Sequence, residues 1–159
     1  MTAEGRPGEA PDAAPFEYGA DGPRVIVTGV DGSDTSLRAA AYAGGLARRG
    51  GARLILVHAT PIAALSMLTP GGAAVMQEAA EEIVGELEQE IGRAYAQAPV
   101  DYEIVTAQGD PYTVLARVAD RSRADAVVVG ASTQAGHRLV GSVAVRLVRA
   151  GRWPVTVVP

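Results

Sequence analysis

A chain of 159 residues with no cysteine and no lysine suits one domain, and it excludes disulfides, thiol catalysis, cysteine-held metal and a P-loop, whose lysine reaches the terminal phosphates. Its formal charge of −4 lies wholly in residues 1–22, where Glu4, Glu9, Asp12, Glu17 and Asp21 stand against Arg6, and the neutral remainder argues against a nucleic-acid partner. No apolar run approaches the ~20 residues that span a bilayer and no basic-then-apolar signal pattern is present, so the expected setting is the cytoplasm, with no membrane partner.

Residues 1–22 are rich in Pro, Gly, Ala and acids, with no apolar period. They read as a disordered acidic leader, and 23–159 as the folded domain. A buried strand follows over 24–30, then the turn Asp31-Gly-Ser-Asp34. Ser33 or Asp34 can cap a helix that runs to Arg49. The helix is expected to turn Leu37, Ala40, Ala41, Ala43, Gly44 and Leu46 inward. Gly50-Gly51 ends it, and 53–59 is a second strand.

An apolar loop with Pro61 and Pro70 leads to a long helix over 73–98. Its inward stripe is Met76, Ala80, Ile83, Leu87, Ile91 and Tyr95. The alternating run 101–107 reads as a strand nearer an edge. Asp110 can cap a helix with Pro111 at its first position, running to Arg123. Then come the strand 126–130, a glycine segment, a helix over 142–150 and a last strand, Pro154 to Val158. Strands alternating with helices predict an α/β three-layer sandwich: a five-stranded, mostly parallel sheet with helices on both faces.

The most informative stretch is Gly130-Ala-Ser-Thr-Gln-Ala-Gly136-His-Arg-Leu-Val-Gly141-Ser142. It links a fully apolar strand to a helix start. Glycines allow a ligand close to the backbone, and free amides at the helix start favour an anion. In parallel sheets ligands sit at the carboxyl ends of the strands. A phosphate site, and hence nucleotide binding, is the leading implication.

Single residues carry two readings each. Asp31, just past the first strand, is either an acceptor for a nucleoside or a turn residue that caps the next helix. His58 ends a buried strand, where a lone histidine is more often a satisfied core residue than a ligand. Ser142 is either an N-cap or a hydroxyl for a phosphate. His137 and Arg138 lie in the glycine segment, where Arg138 can supply charge. Gly29-Val-Asp-Gly32 lacks the dinucleotide fingerprint. Two histidines among scattered carboxylates give no metal-ligand spacing, and no Ser-His-Asp set or paired acid suggests a hydrolase.

Four stretches together resemble the universal stress protein family: 25–33, 54–59, Gln108-Gly-Asp-Pro111, and 124–130 continuing through Gly141-Ser142 to 154–158. The resemblance implies strand order 3-2-1-4-5 and a homodimer through antiparallel pairing of the last strand, Pro154 to Val158. Nucleotide-binding members carry G-x2-G-x9-G-[ST]. Here Gly130 and Gly141-Ser142 match its ends, Thr133 replaces the second glycine, and seven residues rather than nine precede Gly141. Gly136 takes over part of the missing turn.

By the same mapping Asp31 contacts the nucleoside, Val30 and Ala59 line the adenine pocket with His58 beside it, and Val143 joins Gly141 and Ser142 at the phosphates. The expected ligand is ATP or another adenine nucleotide, AMP or ADP included, with Mg2+ entering only with the nucleotide. The expected role is stress-response signalling through nucleotide-linked dimer conformation, with at most slow ATP hydrolysis. The alternative is a dimeric interaction module of the same fold that binds no nucleotide.

Overall fold

The computed structural model describes residues 22–60, 72–132 and 141–159. The leader (save Gly22), the proline-containing loop after residue 60, and Thr133, Gly136, His137 and Arg138 lie outside them. The elements run β1 (Val25–Gly29), α1 (Asp34–Gly50), β2 (Arg53–Thr60), α2 (Gly72–Ala96), β3 (Tyr102–Gln108), α3 (Pro111–Ser122), β4 (Ala126–Gly130), α4 (Ser142–Ala150) and β5 (Val155–Val158). The sheet order is β3-β2-β1-β4-β5. Every strand pair is parallel.

Alternation along the strands assigns two cores. Ile26, Leu54, Leu56 and Val128 face α1 and α2, where Ala39, Ala43, Ala47, Leu87 and Ile91 meet them. Val27, Ile55, Val57, Val127 and Val129 face α3 and α4, against Val114, Leu115, Ala119, Ala144 and Leu147. Strands buried on both faces read as continuous apolar runs. That is the pattern of Leu54–Val57 and Val127–Val129, all buried.

Side-chain caps hold the starts of α1 and α3. Ser33 caps α1 by accepting from the Ser36 amide, and Gly51 closes it in the left-handed conformation at φ 63°. Asp110 caps α3 by accepting from the Thr113 amide, with Pro111 at the first turn. The Asp125 carboxylate ties down the start of β1 by accepting from the Arg24 and Val25 amides at 2.8 and 2.9 Å.

Two inward stripes differ from the pattern expected from sequence. In α1 the buried residues are Thr35, Ser36, Ala39, Ala40, Ala43, Gly44 and Ala47. Ala41 is exposed, and Leu37 and Leu46 are only partly buried at the margin of the core. The smallest side chains face the sheet because α1 lies close over it, and the leucines are left to flank the contact. In α2, Leu87 and Ile91 are buried while Ile83 is 48 % exposed. A 25-residue helix is about 37 Å long, whereas the eight residues of β2 span about 27 Å. The helix is longer than the strand, and Val75 and Ile83 in its first half are exposed, while the side chains of Met76 and Ala80 lie outside the described residues.

Candidate nucleotide site

At the carboxyl ends of β1, β2 and β4 the structure opens into a cavity of about 380 Å³, within the range of small-molecule sites. Its floor is the end of the sheet: Gly29 and Val30, Val57 and Ala59, Val129 and Gly130. Its walls are three helix starts. These are Ser33, Thr35 and Ser36 at α1, Pro111 and Leu115 at α3, and Gly141, Ser142, Val143 and Ala144 at α4. Each helix N-terminus carries roughly half a positive charge and unpaired amides.

The three starts are not equivalent. Side chains cap α1 and α3, but the N-cap of α4 is Gly141, which makes no side-chain cap hydrogen bond. Ser142 is therefore the first helical residue and not the cap. Among the described residues, the α4 start thus carries no side-chain cap from its own N-cap position, an arrangement that suits a phosphate. Among the described lining residues the only charged side chain is Asp31, so the cavity carries an acid near one wall and uncapped amides at another.

Asp31 occupies the turn after β1 and serves that turn as well. Its Oδ1 accepts from the Ser33 amide at 3.0 Å, and its own amide donates to Ser36 Oγ at 3.2 Å. Burial on its own would raise its carboxyl, but hydrogen bonds from Ser33 and Ser36 outweigh that and hold it below the ordinary carboxylate value. Asp31 thus shapes the turn without capping α1, whose cap is Ser33, and it also lines the cavity.

The cavity brings together Val30, Asp31, Ala59, Gly130, Gly141, Ser142 and Val143. It does not include His58. Successive strand residues face opposite sides of the sheet, so with Ala59 on the cavity side His58 lies on the α1 and α2 side. There it is buried, and its Nδ1 donates to the Val30 carbonyl at 3.0 Å. Its contact with the site is indirect: it braces Val30, whose amide also donates to the Val57 carbonyl at 2.9 Å.

Sequence reasoning missed Thr35 and Ser36, Val57 and Val129, and Pro111 and Leu115. The strand residues were recoverable from the parity of Gly29 and Ala59. The α3 pair follows from placing Pro111 and Leu115 four apart on one helix face. Among the described residues no cluster of three or more His, Asp or Glu could hold a metal ion. No described helix is long and apolar enough to cross a membrane.

Comparison with known proteins gives a consistent result. The Universal stress protein family model matches residues 23–159. A universal stress protein of Methanocaldococcus jannaschii is 27% identical over 138 residues, covering 85% of this chain and 81% of that protein. A crystal structure of a universal stress protein from Burkholderia pseudomallei is 25% identical, covers 86% of this chain and 96% of its own, and superposes with a TM-score of 0.70. A crystal structure of a universal stress protein in complex with cAMP is 32% identical over 86% of this chain and 97% of its own, with a TM-score of 0.57.

Proposed function

The chain belongs to the universal stress protein family, and from that premise we propose that it holds an adenine nucleotide in the cavity at the carboxyl edge of its sheet. The carrying observation is that three helix starts converge on one cavity and the α4 start has no side-chain cap. In this reading Val30 and Ala59 flank the base and Asp31 accepts from the nucleoside. The amides of Ser142 and Val143 receive the phosphate. A similar chain solved with cAMP supports an adenine nucleotide as the ligand. Thr133, Gly136 and Arg138, outside the described residues, complete the phosphate end, and Mg2+ enters only with the nucleotide.

The segment between Gly130 and Gly141 is two residues shorter than the nucleotide-binding motif and has Thr133 in place of a glycine. Fewer backbone amides can then reach the outer phosphates. ATP should gain less over AMP and ADP than in a full-motif protein. The role is signalling by a homodimer joined through β5, with at most slow hydrolysis.

The test is calorimetry with ATP, ADP, AMP and cAMP on protein freed of carried-over ligand. Binding of one or more supports the reading, and no binding at millimolar concentration overturns it. A second reading, a dimeric interaction module that leaves the cavity unused, is favoured by Thr133 and the seven-residue spacing. Gly141→Glu separates the two: it abolishes nucleotide binding under the first and leaves function intact under the second.

A further inference from the structure

Asp110 uses its two carboxylate oxygens in different directions. Oδ2 accepts from the Thr113 amide at 3.0 Å and from Thr113 Oγ1 at 2.8 Å, which caps α3. Oδ1 accepts from Arg146 Nη1 at 2.8 Å, across to α4. The Arg146 guanidinium also lies over the Tyr112 ring, 4.2 Å from its centroid. Two residues at the start of α3 thus grip one side chain of α4. Arg146 sits one turn beyond Ser142, on the same side of the helix.

We propose that the Asp110–Arg146 pair is a clasp that sets the spacing between α3 and the uncapped start of α4, and through it the affinity for the phosphate of a nucleotide. The proposal rests on reading the cavity as a nucleotide site. Pro111 and Leu115 on α3 and Ser142 and Val143 on α4 line facing parts of that cavity, while Asp110 and Arg146 are not among the lining residues. They are positioning residues that act through the two helices.

Apolar packing alone leaves this spacing weakly defined. The nine-residue α4 buries Ala144 and Leu147 against the sheet, which fixes its height above the sheet. Hydrophobic burial has no direction, so it resists sliding along the sheet less well. A hydrogen-bonded ion pair has direction. Exposed ion pairs contribute little when two free side chains must be ordered to form them. Here both partners are already ordered, Asp110 by capping and Arg146 by stacking. An ångström-scale shift of α4 would move its amides off the phosphate, and such misplacements are costly in preorganised sites.

An electrostatic role predicts the opposite sign. If Asp110 merely neutralised Arg146, removing the acid would free a cation near the phosphates and tighten binding. Asp110→Asn makes the distinction, because asparagine caps a helix as well as aspartate does. Arg146→Met keeps the length of the side chain and removes its charge.

The experiment is calorimetry with adenosine, AMP and ADP on wild type, Asp110→Asn, Arg146→Met and Arg146→Lys. The clasp predicts unchanged adenosine binding and AMP and ADP binding weakened by about tenfold in the first two variants, with partial recovery in the lysine variant. It also predicts shifted backbone amide signals for Ser142 and Val143 in ligand-free Asp110→Asn. Nucleotide affinities that are unchanged or tighter in the variants overturn the clasp alone. A wild-type protein that binds none of the three ligands overturns the clasp together with the nucleotide reading. If Arg146→Met does not fold, Asp110→Asn decides.

Discussion

Gly130, the last residue of β4, packs directly on the backbone of Thr35 in the first turn of α1. A β-carbon at Gly130 would stand 2.6 Å from the Thr35 carbonyl carbon and 2.7 Å from its oxygen. Gly130, which opens the proposed phosphate segment, is therefore required by the fold itself: it lets the start of α1 close onto the sheet beside the cavity. Gly130→Ala must push helix and strand apart, and overpacking of this kind costs about 1–3 kcal/mol. Urea denaturation should show a lower midpoint with or without nucleotide. A wild-type midpoint would mean that the contact relaxes freely.

Neighbouring glycines in α1 should respond with opposite signs. A β-carbon at Gly44 would lie 2.5 Å from Tyr95 Cε1, so alanine there displaces the ring. That breaks the 2.9 Å hydrogen bond from the Tyr95 hydroxyl to the Ala40 carbonyl. Burial, with Tyr102 alongside, pushes this phenol up to about 12, so it remains a donor. Helix propensity gains about 1 kcal/mol from glycine to alanine; the lost hydrogen bond and packing exceed that, and Gly44→Ala should destabilise by about 1 kcal/mol. At Gly45 the nearest atom is the mobile tip of Arg49, 3.3 Å away. Gly45→Ala should therefore keep most of its propensity gain. Thermal melts of the two variants check the pair.

Much of this architecture is legible in the residues because its signals are local. Ser33, Asp110 and Gly51 are capping residues by type and position, and the structure uses each as such. The strand order followed from the family resemblance and agrees with the observed sheet. What the sequence left open depends on distances between elements. Ile83 is exposed although it falls on the apolar period of α2, a difference that no periodicity within the helix reveals. His58 and Ala59 both fit a pocket in a linear motif, yet the pleat sends them to opposite faces. The partner of Arg146 lies 36 residues away, with α3, β4 and the glycine segment between them, and only the packing of α3 on α4 brings the two together.

Thr28 is a second feature that no local pattern marks. It is the fourth residue of β1, 0 % exposed, and its hydroxyl has no hydrogen-bond partner among the described residues. A buried polar atom without a partner costs about 1–3 kcal/mol, whereas an apolar group of the same shape is neutral or better. Thr28→Val should raise stability by about 1 kcal/mol, read as a higher denaturation midpoint. A lower midpoint would show that the hydroxyl finds a partner in solution.

The acid limb of stability should depend on Asp31 and Asp110. Asp31 is held below its ordinary value, and the Arg146 guanidinium, with Thr113, holds Asp110 at about 2. In the unfolded chain each titrates near 3.9. The unfolded chain therefore binds protons more readily, and stability rises with pH across this window. The contribution is complete above about pH 5 and is lost as pH falls from about 4 toward 2. Asp110→Asn should be less stable than wild type at neutral pH, with the difference closing toward about pH 2. Denaturation midpoints across the pH range give the comparison, and a constant gap down to the lowest pH would contradict it.

The proposed homodimer can be tested at one backbone position. The carbonyls of Pro154 and Val158 accept from Val127 and Ala131 on the β4 side. Alternation along the strand then turns the amides and carbonyls of Val155 and Val157 toward the open edge. An apolar edge with outward-facing amides is the surface that strand pairing between two copies would use. Val157→Pro removes one outward donor and leaves the pairing with β4 intact, since proline is tolerated on edge strands. Sedimentation of the wild type should give a dimer and that of Val157→Pro a monomer with unchanged helix and strand content. A variant that remains a dimer would place the contact on another surface, and a monomeric wild type at micromolar concentration would remove the dimer from the proposed role.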